Sequence, residues 1–287
     1  MSAVPLQAGA QRREFAFSDA DFRWFADLIY SVSGIVLGEA KSQLVYSRLA
    51  KRVRATGCDS FSAYMALVAA EQDEQDAAVY ALTTNHTKFF REDHHFDHFR
   101  DSAWPPLAAR LNASGKVRLW SAACSSGEEP YSLVMTALGP RKDAGLGLLR
   151  KDFRVLATDL SPDVLQTARA GLYPQDILAA VPRNLASAWV RRMANGCEID
   201  AGLRQAIAFR QLNLLGDWPM RGLFDAIFCR NVMIYFDDPT KARLQERLAQ
   251  QLAPGGFLYI GHSERLLGAA ERMLEPIGHT IYRKVPR

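Results

Sequence analysis

The sequence, 287 residues long, lacks the features that define several protein classes. It contains no run of about 18 apolar residues, the length that a transmembrane helix needs. Its first segment, MSAVPLQAGAQRREF, has no long apolar stretch, so we expect no signal peptide. The four cysteines, Cys58, Cys124, Cys197 and Cys229, form no C-x-x-C pair. Scattered cysteines are typical of reduced thiols and argue against a disulfide framework or a zinc site, so we expect a cytoplasmic protein without a metal.

An excess of one charge is also absent, because the formal net charge is only +4. A basic function therefore depends on local patches, and residues 41–54, KSQLVYSRLAKRVR, carry five positive charges and no acid. On a helix with ~100° per residue, the apolar side chains share one arc, and most of the charged side chains share the neighbouring arc. The apolar arc holds Val45, Leu49 and Val53, and the basic arc holds Lys41, Arg48, Lys51 and Arg52. Such a helix packs on one side and offers its positive stripe to an acidic partner, unless the stripe is only a solvated face.

Two regions of different pattern follow each other along the chain. From about residue 17 to residue 85, apolar residues such as Phe22, Phe25 and Ile29 recur at helical spacing, which predicts a helical region. After about residue 110, strands alternate with helices, the signature of a parallel sheet. We predict strands over 117–120, 153–159, 207–212, 224–228 and 257–260, a last edge strand over 279–285, and helices over 131–138 and 239–252, the second capped by Asp238. Residues from about 171 to 205 break the alternation and are predicted to be an insertion.

The most informative segment is VRLWSAACSSGEEP, residues 117–130. An apolar strand runs into a turn of small residues, the carboxylates Glu128 and Glu129 follow, and Pro130 suits the first turn of a helix. A strand, a small-residue turn and a helix form the nucleotide crevice of an open α/β sheet. Acids in this crevice repel a pyrophosphate but attract an ammonium or sulfonium group. The segment therefore favours S-adenosylmethionine as ligand, the alternative being an ordinary connection with solvated acids.

A further acid stands where this crevice would continue. The apolar strand FRVLATD ends in Asp159, and in doubly wound folds an acid at the end of the second strand binds the ribose hydroxyls. The spacing from Gly127 to Asp159 fits one intervening helix and a loop. Ser161-Pro162-Asp163 is typical of the start of the next helix. A helix-capping role for Asp159 is the alternative interpretation.

Three polar clusters accompany the crevice. Residues 83–92, TTNHTKFFRE, lie at the junction of the two regions, and their alternative interpretation is a polar linker. Arg230, Asn231 and Tyr235 follow the strand 224–228 at its carboxyl end, which faces the ligand in such folds, although a tyrosine there can also serve packing. Asn213 and Leu214 follow another strand and are candidates for an adenine contact, although Asn is common in any turn.

Six segments, in their order along the chain, resemble one protein family from about residue 17 to residue 285. They are the basic helix of 41–54, ALTTNHTKFFRE, RLWSAACSSGEEPYS, ATDLSPDVLQTAR, FDAIFCRNVMIYF and LAPGGFLYIGHSE. They resemble the chemotaxis receptor methyltransferases, the CheR family. The resemblance implies an α/β fold with a Rossmann-like class I methyltransferase sheet of seven strands, a small all-helical N-terminal domain and an inserted small β subdomain. It also implies an S-adenosylmethionine-dependent protein-glutamate O-methyltransferase that acts on chemoreceptors and releases S-adenosylhomocysteine.

The pattern and the resemblance together predict a division of the chain. Residues 1–16 form a flexible N-terminus, 17–82 a helical receptor-docking domain, 83–110 a linker with a connecting helix, and 111–287 the methyltransferase domain, with its insertion at about 171–206. The expected partner is the cytoplasmic helical bundle of methyl-accepting chemotaxis receptors. We expect a monomer that neither binds nucleic acid nor inserts into the membrane.

The functional positions of the family fall on matching residues of this sequence. The implied cofactor contacts are Asn85, Thr87, Arg91, one of Glu128 and Glu129, the ribose acid Asp159, Asn213, Leu214, Arg230 and Asn231. Arg91 and Tyr235 match the residues proposed to hold the substrate carboxylate. The implied docking residues are Lys41, Arg48 and Arg54, to which the basic arc adds Lys51 and Arg52.

One departure from the family concerns the insertion. It is a few residues shorter than in relatives that dock on a receptor's C-terminal peptide, and it lacks their Gly-x-Gly-Arg turn. We therefore expect catalysis without peptide tethering. A glutamate has an ordinary pKa of about 4.3, so it is already a nucleophile at neutral pH and needs no general base.

Two other functions remain open on the sequence. The first is a methyltransferase of RNA or a small molecule, but the basic stripe is short and its only aromatic residue is Tyr46. The second is a non-catalytic cofactor sensor, which the presence of both Arg91 and Tyr235 disfavours.

Overall fold

The computed structural model describes residues 13–285, which divide into two compact units at Thr83/Thr84. Residues 1–12 of the expected flexible segment lie outside the described residues. Within the described range, no helix is long and apolar enough to cross a membrane.

The first unit is helical, as the spacing of its apolar residues predicts. It contains α1 (Asp19–Ser33), a short 3-10 helix (Glu39–Lys41), α2 (Ser42–Ala55), α3 (Phe61–Ala70) and α4 (Gln72–Leu82). Helix α1 begins at a capping box, in which Ser18 and Asp21 each accept the other's backbone N–H, and it ends at Gly34 with φ +70°. The apolar arc of α2 is fully buried at Val45, Leu49 and Val53, so its expected packing side is confirmed.

The second unit alternates strands with helices. Before the sheet it contains α5 (His94–His98), one π-helical turn (Phe99–Ala103) and α6 (Trp104–Asn112). The remaining elements are β1 (Val117–Ala122), α7 (Glu128–Leu138), α8 (Lys142–Leu149), β2 (Phe153–Asp159), α9 (Pro162–Ala170), β3 (Leu172–Tyr173), a 3-10 helix (Gln175–Ala180), α10 (Arg183–Trp189), β4 (Val190–Met193), β5 (Gly196–Ile199), α11 (Ala201–Ala206), β6 (Ile207–Gln211), β7 (Phe224–Cys229), a 3-10 helix (Met233–Tyr235), α12 (Asp238–Gln251), β8 (Leu252–Ile260), α13 (Ala270–Met273), β9 (Leu274–Gly278) and β10 (Ile281–Lys284).

The main sheet has seven strands in the order β6-β2-β1-β7-β8-β10-β9. Strands β6, β2, β1, β7 and β8 run parallel, and β10 is antiparallel to both of its neighbours. Every residue of β7 is buried, as expected of a parallel strand covered on both faces. After β6 the chain crosses β1 and resumes at β7, so the strand order reverses around β1, where open α/β sheets bind ligands. The predicted Rossmann-like α/β class is confirmed.

The inserted β subdomain is a small antiparallel sheet in the order β3-β5-β4. Glu198 on β5 accepts from both Arg191 of β4 and Arg204 of α11, so one carboxylate ties the small sheet to the neighbouring helix. Gly171 precedes β3 with φ +61°, and a Cβ there would lie 2.7 Å from Arg204 Cδ. The positive φ favours glycine at this position, since L side chains rarely adopt that backbone conformation.

Several sequence-based boundaries are wrong. Two helices, α7 and α8, separate β1 from β2, where the spacing predicts one helix and a loop. Helix α8 packs Gly145 against the Trp189 ring of the insertion, a contact without a local signal. The predicted last edge strand is β10, which lies inside the sheet, while the edge is the unpredicted β9. The cap of α12 is Asp237, which accepts from Thr240 N–H at 2.8 Å, and not Asp238.

Candidate active site

Polar residues gather at the carboxyl ends of the parallel strands. Asp159 ends β2, the small-residue turn follows β1, Arg230 follows β7 and Gly261 follows β8. Asn213 follows β6, beside Asp159, whose carbonyl accepts Leu212 N–H at 2.9 Å. Because these strands are parallel neighbours, the sheet brings segments that are more than a hundred residues apart to one edge.

The turn between β1 and α7 depends on backbone conformations that bring the chain close to its neighbours. Gly127 has φ +99°, and a Cβ there would lie 2.8 Å from Ala168 Cβ and 3.0 Å from Tyr173 Oη. Ala123 and Ser125 also have positive φ, at +62° and +51°. Small side chains are required here because α9 and the insertion pack directly on the turn.

Asp159 is bonded to that turn. Its Oδ2 accepts Ser125 N–H at 2.8 Å, and its Oδ1 accepts Ser161 N–H at 3.1 Å. Ser161 is the N-cap of α9, but its own side chain makes no capping bond. Asp159 therefore stabilises both the turn and the start of α9, and at 7% exposure it still reaches the surface of the edge.

The two acids of α7 have different surroundings. Glu128 is 5% exposed and accepts from Ser126 Oγ at 2.7 Å. Glu129 accepts from Ser121 Oγ at 2.7 Å and from Arg230 Nη1 at 3.1 Å. Burial raises the pKa of Glu128, of Glu129 and of Asp159, against the opposing effect of their hydrogen bonds. Three carboxylates at one edge, two of them buried and Glu129 only 12% exposed, favour a ligand that carries positive charge.

The segment from Asn85 to Glu92 lies over the same turn. Ser125 Oγ donates to the Asn85 carbonyl at 2.8 Å, and Phe90 N–H donates to Ser132 Oγ at 3.0 Å. Arg91 Nη1 donates to the His86 carbonyl at 3.0 Å, and both Arg91 and Thr87 are half-buried. The structure thus brings the expected linker residues to the acids of α7.

Arg230 is a buried cation at the centre of this edge. Its side chain is 1% exposed and forms ion pairs with Glu92 and Glu129, both at 3.1 Å. Its guanidinium also donates to the Arg91 carbonyl. Asn231 has φ +58° and donates from Nδ2 to Glu92 Oε1 at 2.9 Å. These bonds connect the loop after β7 to the linker and to α7.

Three acidic or imidazole residues of the site were not predicted individually. Glu92 contacts Arg230, Asn231 and, at 2.9 Å, His262 Nδ1. Glu264 accepts Gly261 N–H at 2.6 Å, and the backbone dipoles of the loop after β7 oppose the burial that raises its pKa. Glu92 ends the polar segment 83–92, and His262 and Glu264 belong to GHSE, so both signals lay within segments already singled out.

Asn213 and Leu214 follow β6, and Tyr235 follows β7. Asn213 Oδ1 accepts Leu215 N–H at 3.0 Å, and the Leu214 carbonyl accepts from Trp218 Nε1 at 3.1 Å and Arg247 Nη1 at 3.0 Å. Tyr235 ends the short 3-10 helix after Asn231 and is half-buried.

The basic residues of α2 belong to the first unit and have different exposures. Arg52 pairs with Glu74, Nε to Oε1 at 3.0 Å, and Arg48 Nη1 donates to the carbonyls of Leu82 and Thr83 at 2.8 and 2.7 Å. The other three are Arg54, paired with Glu14 at 2.9 Å, Lys41, which is half-buried, and Lys51, which is exposed. Arg48 and Arg52 therefore also stabilise their own unit.

The residues of the edge fit S-adenosylmethionine. Asp159 and the acids of α7 supply negative charge for its ribose hydroxyls and cationic groups, and the turn admits close approach of a ligand to the backbone. Among residues 13–285, no group of three or more His, Cys, Asp or Glu has the arrangement of a metal site.

Comparison with known proteins places the chain in a family. Residues 85–283 match the model of the CheR methyltransferase SAM-binding domain, and residues 20–83 match the CheR all-alpha domain. A probable chemotaxis protein methyltransferase of Rhizobium etli is 44% identical, covering 89% of this chain and 96% of that protein. Chemotaxis protein methyltransferase 2 of Pseudomonas aeruginosa is 41% identical, covering 94% of this chain and 95% of that protein. The chemotaxis protein methyltransferase of Escherichia coli is 40% identical, covering 93% of this chain and 91% of that protein. The chain is an S-adenosylmethionine-dependent methyltransferase and belongs to the CheR family.

Proposed function

We propose that this protein transfers the methyl group of S-adenosylmethionine to glutamate side chains of methyl-accepting chemotaxis receptors. The products are glutamate methyl esters and S-adenosylhomocysteine. The observation that carries the proposal is the group of three carboxylates at the carboxyl ends of β1 and β2, where a cationic nucleoside fits: the buried Glu128 and Asp159 and the 12% exposed Glu129. The relatives are named chemotaxis protein methyltransferases, which supports a protein of the chemotaxis system as the methyl acceptor.

Asp159 and Glu129 are assigned to opposite ends of the cofactor. Asp159 ends β2 and is assigned to the ribose hydroxyls. Glu129 is assigned to the methionine ammonium, in preference to Glu128, because it is bonded to Ser121 of β1 and to Arg230 after β7. That side of β1 lies away from β2, so the two acids are spaced along the sheet edge as an extended nucleoside requires. Asn85, Thr87, Asn213, Leu214 and Asn231 complete the proposed set.

The reaction requires alignment more than acid–base chemistry. S-adenosylmethionine, when bound, would supply an electrophilic methyl group: its bond to the sulfonium sulfur breaks as a carboxylate oxygen bonds to the carbon, and S-adenosylhomocysteine is the leaving group. The substrate carboxylate is ionised at neutral pH, so no residue has to remove a proton. We assign Arg91 and Tyr235 to hold one oxygen of that carboxylate and leave the other for the methyl group. Arg91 orients the anion without neutralising it, since a fully paired carboxylate is a weaker nucleophile.

Receptor docking is assigned to the first unit, within the proposed boundaries 17–82, followed by a linker over 83–110 and a methyltransferase domain from 111. The basic residues of α2 suit an acidic helical bundle. Among them, Lys51 and Arg54 are the most exposed. We propose that the protein is a monomer. We also propose that it acts without a peptide tether, because the insertion lacks the Gly-x-Gly-Arg turn of tethered relatives.

The test is incubation of the full chain with methyl-labelled S-adenosylmethionine and receptor-containing membranes. The expected result is base-labile label on a receptor-sized band, because glutamate methyl esters hydrolyse in base. Asp159→Ala should lose most of the label at limiting cofactor, whereas Glu271→Gln, which removes an exposed acid from α13, should not. Label that is stable to base, or label on RNA with salt-sensitive RNA binding, would support the alternative of another methyl acceptor.

A further inference from the structure

The charges around Arg230 do not balance. Arg230 contributes one positive charge, and its two ion-pair partners, Glu92 and Glu129, contribute two negative charges. The Arg230 side chain is 1% exposed, and those of Glu92 and Glu129 are 11% and 12% exposed, so water screens the three groups little. With both carboxylates ionised, the cluster holds one negative charge in excess.

The contacts of Glu92 hold its carboxylate beside Arg230. Its Oε1 accepts from Asn231 Nδ2 and lies against His262 Nδ1, both at 2.9 Å, while its Oε2 faces Arg230. Its backbone has φ +56°, a strained conformation that the surrounding bonds hold in place. Although burial alone would raise the pKa of Glu92, the Asn231 hydrogen bond and the Arg230 charge lower it to about 2, so the carboxylate is ionised at neutral pH.

Glu129 has fewer partners than Glu92. Arg230 takes one of its oxygens through Nη1, and Ser121 donates a neutral hydrogen bond to the other. If Arg230 had Glu129 alone, the pair would be neutral and would attract an ammonium only weakly. With Glu92 present, Arg230 is neutralised from the linker side and the negative charge of Glu129 stays effective.

We propose that Glu92 is a positioning residue: by neutralising Arg230 it keeps Glu129 available for the ammonium group of the cofactor's amino-acid part. This inference rests on the proposed function, since it concerns the same cofactor site. It assigns to Glu92 a role that depends on one chemical group of the ligand and not on the whole nucleoside.

The test compares two ligands that differ in the amino-acid part, which carries that group. S-adenosylhomocysteine carries the ammonium, whereas 5′-methylthioadenosine keeps the adenosine and the thioether but has no amino-acid part. In Glu92→Gln, calorimetry should give an S-adenosylhomocysteine Kd raised about tenfold (~1.4 kcal/mol). The Kd of 5′-methylthioadenosine should stay within about twofold of the parent value.

Two further variants separate charge from folding. Glu92→Asp keeps the carboxylate and should restore S-adenosylhomocysteine binding to within about threefold of the parent. Glu271→Gln removes an exposed acid elsewhere in the same unit and should change neither Kd. The melting temperature of each ligand-free variant shows whether the fold is intact.

Each remaining outcome decides against the inference. Equal weakening of both ligands in Glu92→Gln would mean that Glu92 only maintains the structure of the site. Unchanged binding of both would mean that Arg230 and Glu129 do not depend on Glu92. If the parent bound neither ligand, the cofactor site itself would be wrong, a failure that differs from a failure of the Glu92 inference.

Discussion

His95 is a fully buried imidazole beside the site. Its Nε2 lies 2.9 Å from Thr280 Oγ1, and its Nδ1 lies 3.5 Å from Glu92 Oε2. Burial, together with the charges of Arg230 and His94, lowers its pKa to about 3. In the native protein His95 is therefore neutral over the whole range in which an unfolded histidine, with a pKa of about 6.5, takes up a proton.

The first prediction follows from this difference. Below about pH 6.5 the unfolded chain binds a proton at His95 that the native state does not, so the free energy of unfolding falls as the pH is lowered toward 3. His95 should account for a loss of about 2 kcal/mol between pH 7 and pH 5. Urea unfolding at both pH values should show a smaller loss for His95→Gln. An identical loss in the variant would mean that His95 is not the titrating group.

The second prediction concerns Tyr235. Because its hydroxyl is assigned to the substrate carboxylate, Tyr235→Phe should lower kcat by roughly 10- to 100-fold, as loss of about 1.4–2.7 kcal/mol of transition-state stabilisation would. The Kd of S-adenosylhomocysteine should stay within about twofold. Methylation of receptors at the parent rate would remove Tyr235 from the mechanism, and a large change in Kd would move it to the cofactor.

The strands and helices hold the residues of the site at or near their ends. The parallel strands deliver side chains to one edge, and the turn before α7 holds the acids against α9 and the insertion.

The third prediction tests this turn. Gly127→Ala adds a Cβ 2.8 Å from Ala168 Cβ at φ +99°, whereas Gly139→Ala, at φ +68° on the other end of α7, meets no atom within 4 Å. Both variants strain the backbone, but only the first also clashes.

We therefore expect Gly127→Ala to lower the free energy of unfolding by about 1–3 kcal/mol more than Gly139→Ala. It should also weaken cofactor binding, because relief of the clash must move α9 or the turn. Chemical denaturation and calorimetry on both variants check this. Equal effects would show that the turn tolerates a side chain.

The fourth prediction concerns helix α2 as a docking element. Reversal of Arg48 or Arg52 would break bonds inside the first unit, so it confuses folding with docking. Lys51→Glu changes an exposed side chain and should raise the apparent KM for receptor several-fold, with a smaller difference at high salt. Arg23→Glu on exposed α1 surface is the matched control. An unchanged KM for Lys51→Glu at low salt would leave this position as a solvated face.

At the scale of the whole molecule, ligand binding and stability are linked. A ligand that binds only the native state adds about 2.7 kcal/mol at a hundred times its Kd. For a unit of about 200 residues this raises Tm by roughly 5–10 °C. The fifth prediction is such a shift with S-adenosylhomocysteine in thermal unfolding of the full chain, and a clearly smaller shift at the same concentration in Asp159→Ala. Equal shifts would show that Asp159 contributes no binding energy.

Local patterns along the chain suffice for the fold class, the order of the two units and the composition of the crevice. Periodicity, turn residues and acids at strand ends are local signals, and at Val117, Gly127, Glu129 and Asp159 they agree with the structure. The family resemblance supplied the residue roles, which stay predictions.

The contacts between residues that are distant along the chain become apparent only in the folded structure. Glu92 bonds to Asn231 and His262 across more than a hundred positions, and Gly145 packs under Trp189 of the insertion. Two further contacts between distant segments are the antiparallel pairing of β10 with β8 and β9 and the pairing of Arg52 with Glu74 inside the first unit. These contacts depend on side-chain packing and charge pairing between segments, for which no local pattern of residues exists.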